Sequence, residues 1–159
     1  MMGVCYRYAR NRADAEDILQ DGFVKVFTHL DQFRGQGSLE GWIRRIMVTT
    51  AINFLNKNKM LSQTMQLDDA LSEISDGQAG QAPRRQDEWM EMLAGLPAGY
   101  RAIVNLYAIE GYSHKEIGTM LGIAESTSRS QYARAKAHLI QKKTKQVEQP
   151  DTSQLKDDR

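Results

Sequence analysis

The sequence predicts an all-α protein of two small helical domains joined by a flexible linker, the second domain holding a helix-turn-helix. Three observations predict it. Apolar residues recur at spacings of three and four in two long stretches, whereas the strict alternation of half-buried strands is missing. Between the stretches runs Asp76-Gly77-Gln78-Ala79-Gly80-Gln81-Ala82-Pro83, which has too little apolar surface to support a core. The length of 159 residues suits one ordinary domain or two small ones. The expected division is 1–59 for the first domain, 60–85 for the linker and 86–145 for the second domain. The polar, unperiodic residues 146–159 are expected to form a disordered tail. No internal repeat is visible.

In the first domain, Asp14 reads as an N-cap, with Asp17 three positions on in a weak capping box. The helix that follows carries Ile18, Leu19, Phe23, Val26, Phe27 and Leu30 at helical spacing, which predicts a buried face. Glu16, Asp17, Gln20 and Asp21 form an acidic strip on its other side. Arg34-Gly35-Gln36-Gly37-Ser38 breaks the helix, because two glycines make a helical reading costly. Another helix starts after Ser38. Its apolar side is Leu39, Trp42, Ile43, Ile46, Met47, Thr50, Phe54 and Leu55; Arg44, Thr49, Asn53, Asn56 and Lys57 lie largely outside that stripe. Trp42 reads as a core residue, and the eight methionines read as packing residues.

In the second domain, Trp89, Met92, Leu93 and Leu96 predict a short amphipathic helix ended by Pro97. Ile103, Val104, Leu106 and Tyr107 predict a second helix, stopped at Gly111. Ser113-His114-Lys115-Glu116 then has the form of a capping box, with Tyr112 and Ile117 in the positions of a hydrophobic staple. Gly122 closes this short helix in the left-handed conformation, and Gly118 allows a close crossing. Ile123 plugs the turn, and a longer helix runs to about Gln141, with Tyr132, Ala135 and Leu139 inward. Short helix, glycine turn and longer helix make a helix-turn-helix. Thr127, Arg129, Ser130, Gln131, Arg134 and Lys136 on the longer helix are donors suited to base edges and phosphates.

Charge and composition narrow the function classes. The net charge is only +1, but its distribution is uneven. Gly41 to Met60 carries Arg44, Arg45, Lys57 and Lys59 with no acid, and Leu61 to Tyr100 carries seven acids against Arg84 and Arg85. Tyr112 to Lys145 carries seven basic residues against Glu116 and Glu125. Two basic stretches around an acidic one suit two DNA-contacting modules. Cys5 is the only cysteine, so no disulfide or cysteine-rich metal site can form within the chain, and it reads as a small buried residue. No apolar run reaches the ~20 residues of a membrane span, and no signal peptide precedes the first helix, so a cytoplasmic location is expected. His29, His114 and His138 are far apart in sequence, and there is no metal-ligand spacing, nucleophile elbow or phosphate-binding glycine loop, so no enzyme activity or cofactor is expected.

Taken together, these motifs resemble the bacterial extracytoplasmic-function (ECF) type of RNA polymerase sigma factor, in the sigma-70 family, over nearly all of Met1 to Lys143. Asp14-Ala15-Glu16-Asp17-Ile18-Leu19-Gln20-Asp21-Gly22-Phe23 is similar to the polymerase-binding helix of that family. Phe33-Arg34-Gly35, Ser38 and Trp42-Ile43-Arg44-Arg45-Ile46 resemble its −10 loop and helix. Leu96-Pro97 with Tyr112-Ser113-His114-Lys115-Glu116-Ile117-Gly118 resembles its −35-binding domain. The resemblance implies a transcription initiation factor that binds core RNA polymerase through Asp17, Gln20 and Asp21. It implies that Arg34, Gly35, Gln36, Gly37 and Ser38 hold a base extruded from the −10 strand, with Thr49 and Asn53 helping and Arg44, Arg45, Lys57 and Lys59 on phosphates. Arg129, Ser130, Gln131 and Arg134 would read the double-stranded −35 element, with Lys136 on the backbone. It also implies an anti-sigma factor as inhibitory partner.

The sequence departs from the family pattern in several places. The family usually has a further helix before Met1-Met2-Gly3, so the start is expected to be short or misassigned. Ala124 stands where the recognition helix often begins with Ser, which leaves Ser126 as the expected cap. Ser128 replaces the usual apolar plug, Gln131 a common Arg and Thr49 a common Asn, so the preferred bases are expected to differ. The alternative is a non-sigma helix-turn-helix regulator with a sensor or dimerisation domain in front. The acidic helix followed by the Arg-Gly loop argues against it.

Overall fold

A computed structural model describes residues 1–58 and 85–148, and among these all regular structure is helical. The first unit is α1 (Met2–Tyr8), α2 (Arg12–Thr28), a 3-10 turn (Leu30–Gln32) and α3 (Leu39–Lys57). The second is α4 (Arg85–Ala94), α5 (Ala98–Val104), a π-helical turn (Asn105–Ile109), α6 (His114–Leu121) and α7 (Glu125–Glu148). The linker read over 60–85 lies outside the described residues, except for Arg85, which opens α4. The segment read as a tail also lies outside them beyond Glu148; Gln146 to Glu148 continue α7.

Local chemistry explains the helix ends. The N-cap of α2 is Asn11, three residues before the expected Asp14. Asn11 Oδ1 accepts from Asp14 N–H at 2.8 Å. Asp14 instead sits in the first turn, where its charge meets the positive end of the helix dipole. Arg12–Glu16, at 2.7 Å, is a helical i,i+4 pair along the first turns. Ser38 Oγ caps α3 by accepting from Gly41 N–H at 3.2 Å. The capping box of α6 is complete: Ser113 Oγ accepts from Glu116 N–H, and Glu116 Oε2 accepts from Ser113 N–H at 2.8 Å. Ser113 Oγ also donates to Glu116 Oε2 at 2.8 Å, and the two donors hold the Glu116 carboxyl below the usual range, the backbone N–H more than the hydroxyl. Gly122 ends α6 at φ 68°. Gly118 packs so closely on the turn that a Cβ there would lie 2.7 Å from the Ile123 carbonyl oxygen. The close approach is therefore to the turn backbone. α7 begins at Glu125, which places Ser126 inside its first turn and not at the cap.

The core of the first unit is Val4, Cys5, Tyr8, Ile18, Val26, Met47, Val48, Ile52 and Leu55. It is continuous with Ala102, Ile103, Leu106, Ile117 and Leu121 of the second unit. A second cluster joins Met92, Leu93, Leu96, Tyr100 and Val104 to Ala135 and Leu139 of α7. Polar groups also cross between the units. The Arg101 guanidinium, 4% exposed, donates to the carbonyls of Ala94 and Tyr8 at 3.2 Å each, so the C-terminal ends of α4 and α1 share one cation. Burial holds the pKa of Arg101 below the usual arginine value, and the charge of Arg10 adds to this. Asn105 Nδ2 donates to the Arg7 carbonyl at 2.8 Å.

The expected apolar faces of α2 and α3 are corrected at Phe27, Leu30 and Leu39. Phe27 and Leu30, read as part of the inward face of α2, are 72% and 48% exposed. The inward stripe is Ala15, Ile18, Gly22 and Val26, which turns Phe27 to the opposite side. Trp42, read as a core residue, is half-buried and packs on the edge of the core and against Phe33, with ring centroids 5.6 Å apart. Leu39 is 45% exposed.

Candidate polymerase and nucleic-acid interfaces

Three surfaces carry the candidate residues. The first is the outward face of α2. Asp17, Gln20 and Asp21 are all exposed there, and Val24 and Phe27 continue the same face at helical spacing. The sequence reading missed this apolar extension. Both residues lie off the stripe through Ala15, Ile18, Gly22 and Val26 that packing turns inward. Acceptors beside exposed apolar side chains suit a basic, partly apolar helical partner. The acids also border a groove of about 390 Å³ that is closed on the α3 side by Asn53, Phe54 and Lys57.

The second surface is the loop after α2 and the outer side of α3. Arg34, Gly35, Gln36, Gly37 and Ser38 are exposed, and both glycines take positive φ, 69° and 86°. Ser38 is engaged as the cap of α3, so part of its role is structural. A crevice of about 320 Å³ lies between the end of α2 and α3, lined by Lys25, His29, Gln32, Trp42, Arg45 and Thr49. Thr49 Oγ1 donates to the Arg45 carbonyl at 2.9 Å, which leaves its lone pairs available as acceptors. The structure thus brings Arg45 and Thr49 together at one crevice. Lys57 borders the groove of the α2 acids instead, and Asn53 borders both that groove and a further crevice of about 280 Å³ shared with Arg45 and Thr49. Arg44 is bound elsewhere: Nε and Nη2 donate to Glu110 at 2.7 and 3.1 Å. These bonds raise its pKa, outweighing the opposing effect of burial.

The third surface is α7. Arg129, Ser130, Arg134 and Lys136 are exposed and Thr127 is half-buried. Arg129 pairs with Glu125 one turn back, and Ser130 Oγ donates to the Thr127 carbonyl at 3.0 Å. Gln131 is different. It is 4% exposed, on the inward side with Ser128, Ala135 and Leu139, and its Oε1 has no hydrogen-bond partner. Expected as a base-reading residue, it is placed by helical spacing in the core of the second unit. Ser128 is also buried, and its hydroxyl meets His114 Nδ1 at 2.9 Å. The opposite face of the imidazole environment is aromatic: Tyr107 stacks on His114 with centroids 4.2 Å apart and planes within 12°.

Residues 1–60 match the family Sigma-70 region 2, and residues 86–139 match Sigma-70, region 4, in that order along the chain. The chain belongs to the sigma-70 family of RNA polymerase sigma factors. Among its relatives of the ECF type, the chain is 30% identical over 145 residues to ECF RNA polymerase sigma factor SigE of Mycolicibacterium smegmatis, a match covering 86% of this chain and 54% of SigE. It is 29% identical over 136 residues to ECF RNA polymerase sigma factor SigM of Mycobacterium tuberculosis, covering 82% of this chain and 65% of SigM. The chain thus spans a little over half to just under two thirds of the length of these sigma-70 relatives. Its fold is similar to that of the sigma factor RpoE of Bartonella quintana, solved with the anti-sigma factor NepR. The TM-score is 0.53 at 20% identity, over 88% of this chain and 87% of RpoE. The region 2 match, over α1 to α3, separates the chain from a helix-turn-helix regulator with an unrelated front domain. Among the described residues no helix is long and apolar enough to cross a membrane, and no group of histidine, cysteine and carboxylate side chains could hold a metal ion.

Proposed function

We propose that this chain is a promoter-directing transcription initiation factor: it binds core RNA polymerase, reads −10 and −35 elements and catalyses no reaction itself. The observation that carries this reading is the presence of both sigma regions in order on one chain, each with its candidate surface exposed. Asp17, Gln20 and Asp21, joined by Val24 and Phe27, meet core polymerase. Arg34 to Ser38 with Arg45, Thr49 and Asn53 take the single-stranded −10 element, with Arg44 and Lys57 on its phosphates. The crevice beside Trp42 offers polar groups and an aromatic wall to an extruded base. Arg129, Ser130 and Arg134 enter the −35 major groove, while Thr127 and Lys136 lie toward the backbone.

The expected place of work is the cytoplasm, with the polymerase. An anti-sigma factor of the kind bound to Bartonella quintana RpoE is the expected inhibitory partner. The test is in vitro transcription by core polymerase with this chain on genomic fragments, with start sites mapped. Initiation that depends on the chain, at sites sharing two elements, is the expected result. Failure to bind core polymerase in a pull-down would overturn the proposal.

A further inference from the structure

The outward face of α7 carries one acid among its cations. Ser126, Ser130, Ala133 and Ala137 recur at helical spacing as an exposed stripe of small side chains. Arg129 and Lys136 flank the stripe on one side and Arg134 on the other. Such a face lets the helix approach the floor of a groove while long cations reach out on both flanks. Glu125 lies on the flank of Arg129, one turn nearer the helix start, and no other acid occurs along α7 before Glu148. A carboxylate there faces the phosphates that the cations attract, so it weakens binding to DNA unless it serves another purpose. Its Oε1 accepts from Arg129 Nη2, with Glu125 44% and Arg129 64% exposed. Exposed pairs of this kind contribute little to stability, so holding the helix together does not account for the acid. The bland reading is a helix start. Ala124 accepts from Ser128 N–H at 3.1 Å, which puts a residue without a capping side chain at the N-cap, and Glu125 supplies charge in the first turn.

We propose that Glu125 is a positioning residue that makes Arg129 a reader of a base and not a clamp on phosphate. This role rests on the assignment of α7 to the −35 major groove. An arginine selects guanine by offering two N–H groups in one plane to O6 and N7. A guanidinium held by nothing takes a phosphate as readily, because phosphate accepts the same pair of bonds at any sequence. Glu125 engages one Nη2 hydrogen and restrains the guanidinium on the helix flank, which leaves the other Nη2 hydrogen and those of Nη1 to a base edge. A guanine can use those groups while the charge stays partnered. A phosphate must compete with the carboxylate and lie beside its negative charge. Glu125 thus lowers affinity for DNA in general and lowers it least where Arg129 meets guanine.

The test uses holoenzyme assembled from core polymerase and each full chain. It reads binding to a mapped promoter duplex with the −35 element intact, singly substituted or scrambled, over a series of salt concentrations. Arg129→Ala first locates the base pair that Arg129 reads, as the position where discrimination collapses. Glu125→Gln is expected to tighten binding to the scrambled duplex and to steepen its salt slope by about one. It is also expected to lower discrimination at that base pair about three- to tenfold. Ala124→Asp combined with Glu125→Gln restores charge at the helix start and adds a cap, but leaves Arg129 unheld, so discrimination is expected to stay at the Glu125→Gln level. In an Arg129→Ala chain, Glu125→Gln is expected to change discrimination no further. Circular dichroism and thermal melts check that every variant folds. Unchanged discrimination in Glu125→Gln overturns the positioning role. So does recovery of parent discrimination by Ala124→Asp, or an equal loss from Glu125→Gln with and without Arg129, because helix start or net charge then explains the effect. An Arg129→Ala holoenzyme that reads every −35 position as the parent does overturns the −35 assignment and the positioning role with it, a result distinct from one in which Arg129 reads a base without Glu125.

Discussion

His114 Nδ1 and Ser128 Oγ lie 2.9 Å apart, a buried polar pair that ties the first helix of the helix-turn-helix to the second. Ser128 occupies a position where an apolar plug is the family habit, and the imidazole satisfies the hydroxyl that this substitution buries. Each partner is therefore costly to remove alone. Ser128→Ala is expected to destabilise the second unit by about 1–3 kcal/mol, because His114 loses its buried partner. Replacing both, as His114→Leu with Ser128→Val, is expected to cost less than the sum of the single changes. Chemical denaturation of the four chains of this cycle measures the coupling. Strict additivity would show that the two side chains do not interact.

The same pair gives a pH dependence with a definite sign. Burial lowers the pKa of His114, Arg129 adds to the lowering, and Glu125 opposes it. The unfolded chain, with an imidazole pKa of about 6.5, therefore takes up its proton first as pH falls. Stability from neutral His114 is complete above that value and is lost as pH drops from there through the lower folded-state value. His114→Gln keeps a group able to bond Ser128 but does not titrate. Denaturation midpoints from neutral to mildly acidic pH should fall more steeply for the parent than for the variant. Parallel curves would sink this assignment.

The helix-turn-helix was legible in the sequence because its signals are local: a capping box, a staple and two glycines within a dozen residues. The helical fold class was legible for the same reason. Burial was less so. Phe27 and Leu30 have the right spacing for a stripe, but only packing decides which of two overlapping stripes turns inward. Gln131 is chemically a good base reader, and only its alignment with Ala135 and Leu139 shows that it faces the core. The cluster of Glu110 with Arg7 and Arg44 spans separations of 103 and 66 residues, where no periodic pattern reaches.

The exposed face of α2 predicts a separation of binding from folding. Asp21→Lys should change stability by no more than ~0.5 kcal/mol, as exposed substitutions usually do. It should still weaken core-polymerase binding several-fold, because like charges would meet a basic partner. Phe27→Ala, at 72% exposure, should behave in the same way through lost apolar contact. Thermal melts and a competition assay with labelled parent chain check both variants. Equal competition by all three chains would place the polymerase contact on another face.

Promoter reading should divide by unit. On α7, Arg129 and Arg134 are exposed among short polar side chains, so loss of either should cost about 1–3 kcal/mol and relax preference at one or two −35 positions. Lys136 offers a point charge, so its loss should weaken all sequences alike and lower the salt slope by about one. Gln131 should behave unlike its neighbours. Because its buried Oε1 lacks a partner, Gln131→Leu should leave −35 preference unchanged and stability equal or higher. In the first unit, Gln36 should affect selection among single-stranded −10 bases alone. Ser38→Ala should add a stability loss of about 1 kcal/mol from the missing cap. A randomised promoter library selected with each variant at two salt concentrations separates these effects, because each unit has its own element to disturb. Arg129→Ala or Arg134→Ala shifting only −10 preference, or Gln36→Ala shifting only −35 preference, would break the two-module assignment even in a chain that supports transcription.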